Sequence, residues 1–183
     1  MLLDMWAKTF FVIYKCLDRL AKTIDSYIEI RALSSCFKSL KDISRCTTDR
    51  IWNDMTDLMN KKITLINLKC LTEKLLMILP EKASRFVIMK YVEDKTYEEV
   101  AKRMDISLRT AMRWNNSVLE KSGKILKGFG YDHKNICKLI DNERWILAVF
   151  NSVMEEEKNK HTTKLSYFVV LREAEKEYKT HLL

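Results

Sequence analysis

Arg109, Arg113 and Asn116 stand four and three residues apart in the run Ser107-Leu108-Arg109-Thr110-Ala111-Met112-Arg113-Trp114-Asn115-Asn116-Ser117. A guanidinium or a carboxamide can make two hydrogen bonds at once to the edge of a base, so three such groups on one helix face can read bases. Their sharing a face follows from their neighbours. Ala111, Trp114, Val118 and Leu119 recur at three- and four-residue steps, which predicts an inward apolar stripe. The outward set is then Leu108, Arg109, Met112, Arg113, Asn116, Ser117 and Glu120. Ser107, Thr110, Ser117, Lys121 and Lys124 suit phosphate oxygens, which fix position rather than base choice. Trp114 could stack on a base, but its spacing from Ala111 and Val118 reads as core.

A preceding helix must hold that face in place. Tyr97, Val100, Ala101 and Met104 fall at i, i+3, i+4 and i+7, one side of a short helix. Small Ala101 suits a close helix crossing. Thr96 is the expected cap of this helix, whose first amides are placed to hold a phosphate. Asp105 marks the corner, since Asp tolerates the left-handed backbone a tight turn needs. Ser107 then caps the second helix. Two short helices joined by such a turn are the geometry that sets a helix into the DNA major groove.

From Leu79-Pro80 to about Leu126 the chain resembles region 4 of sigma-70-type factors. It resembles still more closely the sigma-region-4-like domain of phage-type transcription regulators such as the ArpU group. The matching pieces are Leu79-Pro80, Lys90-Tyr91-Val92-Glu93-Asp94-Lys95-Thr96, Tyr97-Glu98-Glu99-Val100-Ala101, Ser107-Leu108-Arg109-Thr110-Ala111-Met112-Arg113-Trp114 and Val118-Leu119. Asp105 stands where the family more often has glycine, and Trp114 is bulkier than its usual counterpart. The resemblance implies a transcription role with double-stranded DNA and RNA polymerase as partners. A complete sigma factor also needs a helical domain that captures the −10 element. Residues 1–79 carry no matching acidic-aromatic pattern, which favours a regulator over a sigma-like factor.

Composition agrees with a helical, DNA-directed chain. Of 183 residues only three are Gly and one is Pro, too few for the turns of a strand-rich fold. The expected class is all-α, a helical bundle with a central helix-turn-helix module. The net charge is +8, and residues 107–127 hold five basic side chains against Glu120 alone, half of that excess. This distribution suits a polyanion. Cys16, Cys36, Cys46, Cys70 and Cys137 are odd in number and form no C-x-x-C pair, which reads as reduced cysteine on apolar faces without zinc or other cofactor. His133, His161 and His181 are scattered among polar residues and are expected at the surface. Asp4, Lys8 and Lys15 interrupt the apolar N-terminus, so a cytoplasmic protein without a membrane span or signal peptide is expected.

Along the chain, four segments emerge. Residues 1–46 are amphipathic helices: Leu3, Trp6, Phe10, Ile13, Leu17, Leu20, Ile24 and Tyr27 form a heptad seam. That seam packs in a bundle or pairs two chains as a homodimer. Ile30, Leu33, Cys36 and Phe37 continue more weakly, with Ser34-Ser35 as an interruption and a break at Arg45–Thr48. Residues 47–79 are a long connecting helix with Met55, Met59, Ile63, Ile66 and Cys70 on one face, extended by Leu68, Leu71, Leu75 and Ile78. Residues 80–128 are the reading module, opened by Pro80 and a helix through Ala83, Phe86, Val87, Met89, Lys90 and Tyr91. Gly128-Phe129-Gly130 is the stop signal.

Residues 129–183 are a helical extension. It comprises a helix capped by Asp132, one carrying Trp145, Ile146, Val149, Phe150 and Val153, and one starting at Thr162-Thr163 with Leu165, Phe168, Val169 and Arg172. Beyond Lys176 a frayed end is expected. An enzyme such as a recombinase would need a nucleophile with an activating cluster, which the sequence lacks. A purely structural helical interaction protein is the remaining alternative class.

Overall fold

A long helical hairpin forms the frame on which the rest is built. The computed structural model describes residues 2–39, 45–158 and 167–179. Helix α1 (Leu2–Ser39) and helix α2 (Arg45–Ile78) run antiparallel. Their direction is written in a ladder of polar pairs: Tyr14 with Glu73, Asp18 with Lys69, Asp25 with Lys62 and Arg31 with Asp54. At 1.5 Å per residue α2 alone is roughly 51 Å long. Between the rungs the heptad seam of α1 turns inward. Trp6, Phe10, Ile13, Leu17, Leu20 and Ile24 are all at or below 1% exposure, and Phe11 joins them.

The seam is therefore consumed within the chain, against α2 and the helices that follow, and a homodimer through α1 has no free seam to use. The backbone of α1 stays helical past Ser34-Ser35, so no interruption falls there. Arg45–Thr48, the expected break, are the first residues of α2; residues 40–44 lie outside those described.

The single face expected of helix α2 is split in the structure: its leucines are buried as expected, and most of its other members face outward. Leu58, Leu65, Leu68, Leu71, Leu75 and Leu79 face α1 and the core. Met59, Ile63, Ile66, Cys70 and Ile78 face outward. Both sides of this helix are apolar at helical spacing, so periodicity finds two stripes and cannot rank them. The leucines are the ones that meet α1.

Helices α3 (Glu81–Val87), α4 (Tyr97–Met104) and α5 (Leu108–Gly128) come next, then α6 (His133–Leu139), α7 (Arg144–Lys158) and α8 (Tyr167–Lys179). There is no strand among the described residues, so the chain is all-α as composition demanded. Two apolar interiors result. The large one joins α1, α2, α7 and α8 with the tail of α5. The small one holds Phe86, Met89, Val100, Ala101 and Ala111, with Tyr97, Met104, Ile106 and Trp114 around it.

The C-terminal extension is anchored rather than appended. Trp6 stacks on Phe150 with ring centroids 3.9 Å apart, and its indole N–H donates to His133 Nδ1 at 2.9 Å. His133 is thus a structural acceptor, not a bare surface histidine. Glu143 is fully buried, and its Oε2 accepts from Trp145 Nε1 at 2.7 Å and from Tyr178 OH at 3.1 Å.

Tyr178 is itself fully buried, so α8 stays pinned where fraying was expected just after Lys176, and residues 180–183 lie outside those described. The inward side of α8 is Val170, Ala174 and Tyr178, while Val169 and Arg172 are exposed, one step out of phase with the expected face. The expected start at Thr162-Thr163, and Leu165, lie outside the described residues. No helix among the described residues is long and apolar enough to cross a membrane.

Candidate nucleic-acid interface

The helix before the corner departs from a regular α-helix. After α3 the chain widens into a π-turn over Ile88–Val92, where the sequence predicted one continuous α-helix. The wider winding places Met89, Lys90 and Tyr91 all inward, three in succession. Met89 then serves the small interior and Tyr91 the large one. Lys90 Nζ lies over the Tyr97 ring, 4.3 Å from its centroid, and donates to Lys95 O at 3.0 Å. That bond closes the turn ahead of α4, where Asp94 is left-handed at φ 55° and pairs with Lys15 of α1.

Helix α4 starts as its sequence implies. Thr96 is the N-cap: its hydroxyl accepts from Glu99 N at 3.2 Å, and Glu99 Oε2 accepts from Thr96 N at 2.7 Å. This reciprocal pair is a capping box. The bond from the Thr96 amide, with the adjoining Lys95 and Arg103, holds the Glu99 carboxyl below its usual range. The box has a consequence for binding. Of the opening amides expected to meet a phosphate, those of Thr96 and Glu99 are already bonded within the box.

The corner is left-handed at Asp105, φ 53° and ψ 49°, and Ile106 N donates back to Ala101 O at 3.0 Å. Ser107 is extended and caps α5, accepting from Thr110 N at 3.1 Å. Its Oγ also lies 2.8 Å from Thr110 Oγ1, so both hydroxyls are engaged with each other.

Downstream of that cap the two arginines are presented openly. Arg109, Arg113, Asn116, Ser117 and Lys121 are exposed, together with Leu108 and Met112, as the face analysis required. Among the described residues neither Arg109 nor Arg113 has a carboxylate partner. Lys124 is exposed but paired with Glu120 at 2.6 Å, which lowers the Glu120 carboxyl and raises the Lys124 ammonium. A phosphate would have to draw Lys124 away from that pair. Thr110 is half-buried beneath the arginines.

Trp114 and Asn115 fix the roll of α5 about its axis. Trp114 is half-buried, packing on the small interior with its ring 6.5 Å from Phe86. Its open edge, with Pro80, Lys82, Ala83, Ser117, Val118 and Lys121, lines a cleft of about 310 Å³ between the start of α3 and α5. Asn115 is buried, and its Oδ1 accepts from Tyr91 OH at 2.7 Å. Burial pushes the Tyr91 phenol well above its ordinary range, so it remains a donor. Sequence reasoning missed this bond, because a polar residue between two outward-facing ones gives no sign of turning inward.

A helix closed by a left-handed corner, a capped second helix crossing it, and a solvent-facing arginine pair define the helix-turn-helix class of DNA-binding module. Residues 71–114 match the family model described as sigma-70, region 4, so the chain carries a sigma region 4-like helix-turn-helix domain. The match starts within the last turns of α2 and ends at Trp114, whereas the resemblance read from motifs ran from Leu79 to about Leu126. No curated protein and no solved structure matches the chain.

Proposed function

We propose that this chain is a transcription regulator that binds duplex DNA sequence-specifically through α5. The observation that carries the reading is the unpaired, exposed Arg109 and Arg113 one helical turn apart on the capped second helix of a sigma region 4-like module. Arg109 and Arg113 would read base edges with Asn116 beside them. Lys121 and Ser117 at the mouth of the Trp114 cleft would hold phosphates, with Lys124 recruited from Glu120. Thr96, Ser107 and Thr110 would hold phosphates beside the caps they form, since a hydroxyl that accepts a cap bond can still donate outward. Core RNA polymerase is the proposed protein partner, because region 4 domains bind it as well as DNA. A phage-type, ArpU-like regulator remains the subtype proposed from the sequence.

Two substitutions separate reading from holding. Arg113→Ala should cost roughly 1–3 kcal/mol on the preferred site and relax base choice there. Lys121→Ala should weaken all duplexes alike and reduce the salt slope by about one. Titrations of selected and scrambled duplexes at two salt concentrations measure both, and an equal loss on every sequence for Arg113→Ala removes it from base reading. Run-off transcription with purified core polymerase tests the sigma-like alternative, which promoter-dependent initiation by this chain alone would establish.

A further inference from the structure

The outward stripe of α2 is long, straight and unused by the fold. Trp52 is 70% exposed, Met59 54%, Ile63 55%, Ile66 44% and Met77 82%, with Cys70 also exposed among them. They stand seven, four, three, four and seven residues apart, the intervals of a heptad seam. From Trp52 to Met77 the stripe is roughly 38 Å long and about 10 Å wide. That area, roughly 400 Å², is the size of the largest apolar patch on a typical monomer, which often serves as an interaction surface.

We propose that a second copy of this chain covers the stripe, with the two α2 helices antiparallel about a two-fold axis near Lys61–Lys62. The choice of occupant rests on charge. Asp49 and Lys74 are exposed, have no ion pair among the described residues and border the stripe. They are twenty-five residues apart, close to seven whole turns, so both lie on the same flank. In an antiparallel pair each flank meets itself with its ends exchanged. Asp49 of one copy then stands opposite Lys74 of the other, twice. The same register sets Trp52 beside the second copy's Cys70 and interleaves Met59 with Ile63. Lys62 would meet its own copy near the axis, but it is already neutralised by Asp25 at 2.6 Å. A parallel pair would leave Asp49 without a cation. Flanking charges of this kind set the direction of helix pairing.

Sedimentation equilibrium of the full chain, without DNA, tests the pairing apart from any role in reading bases. Twice the monomer mass is expected, falling to one in Ile66→Glu with an unchanged helical circular dichroism spectrum. Asp49→Lys should weaken the dimer about tenfold, and adding Lys74→Asp should restore it. Cys70 of the two copies would be about 25 Å apart along the axis, so mild oxidation should not join them. A monomer at all concentrations, or a dimer indifferent to Ile66→Glu, overturns the proposal. A Cys70–Cys70 disulfide, or an Asp49→Lys defect that Lys74→Asp does not repair, overturns the antiparallel arrangement. A monomer that needs Ile66 to bind core RNA polymerase assigns the stripe to that partner instead.

Discussion

Ala111 and Leu126 belong to one helix and to two different interiors. At the head of α5, Ala111 closes a small cluster with Phe86, Met89, Val100 and Ala101. At its tail, Leu126 is buried in the large core with α1 and the C-terminal helices. The difference fits the role proposed for each end. A helix that enters a groove must keep one face bare and can bury little of itself. A small core at the head of α5 suits that role, and on this view the head leans on the tail for its stability. Tyr91 links the two, reaching from the π-turn to Asn115 and packing against Phe11 of α1 at a centroid distance of 5.9 Å.

Three substitutions set the two interiors against each other. Trp6→Ala removes the ring stacked on Phe150 and should cost roughly 3–5 kcal/mol by denaturant titration. Cys16 reports the loss independently: burial pushes its thiol up to about 12, so it should resist alkylation in the native chain and react in this variant. If α4 and the head of α5 stayed protected from hydrogen exchange while Cys16 reacted, the small interior would be self-sufficient and the dependence described here would be wrong.

Gly123→Ala should come next, at roughly 1–3 kcal/mol, partly offset by alanine's better helix propensity. A methyl there would displace the Asp4 carboxylate and meet Asp4 N at 3.0 Å, because α1 crosses α5 at that glycine. A rise in melting temperature would show that the crossing can open freely. Thr96→Ala, which removes the cap of α4, should cost about 1 kcal/mol. Its effect should be confined to faster exchange in α4, with the large core unmoved. Uniform loss of protection would mean one cooperative interior rather than two.

What could be read in advance was local. Thr96, Asp105 and Ser107 act on backbone groups within a few residues, so their types and spacing declared the cap, the corner and the second cap. The arginine face followed from Ala111, Val118 and Leu119 by the helical period. What escaped depended on distant partners or on ties between equal patterns. Nothing near Tyr178 in sequence indicates that it bonds Glu143, and nothing near Gly123 announces Asp4. The π-turn at Ile88–Val92 keeps ordinary helix formers and so looks regular. Helix α2 has two apolar stripes, and only the helix packed against it decides which is the inside.

The crossing at Gly123 also makes α5 a rigid pointer with its pivot far from its tip. Across its 21 residues, roughly 32 Å, it passes from the bundle to the arginines without a break. In the proposed role, the angle at which Arg109 and Arg113 would approach a groove is therefore set as much by Asp4, Leu126 and the α1 backbone as by the corner at Asp105. Changes in the bundle that leave every contact of the proposed reading face intact would then shift which bases those side chains reach, so target choice would drift through residues that never touch nucleic acid.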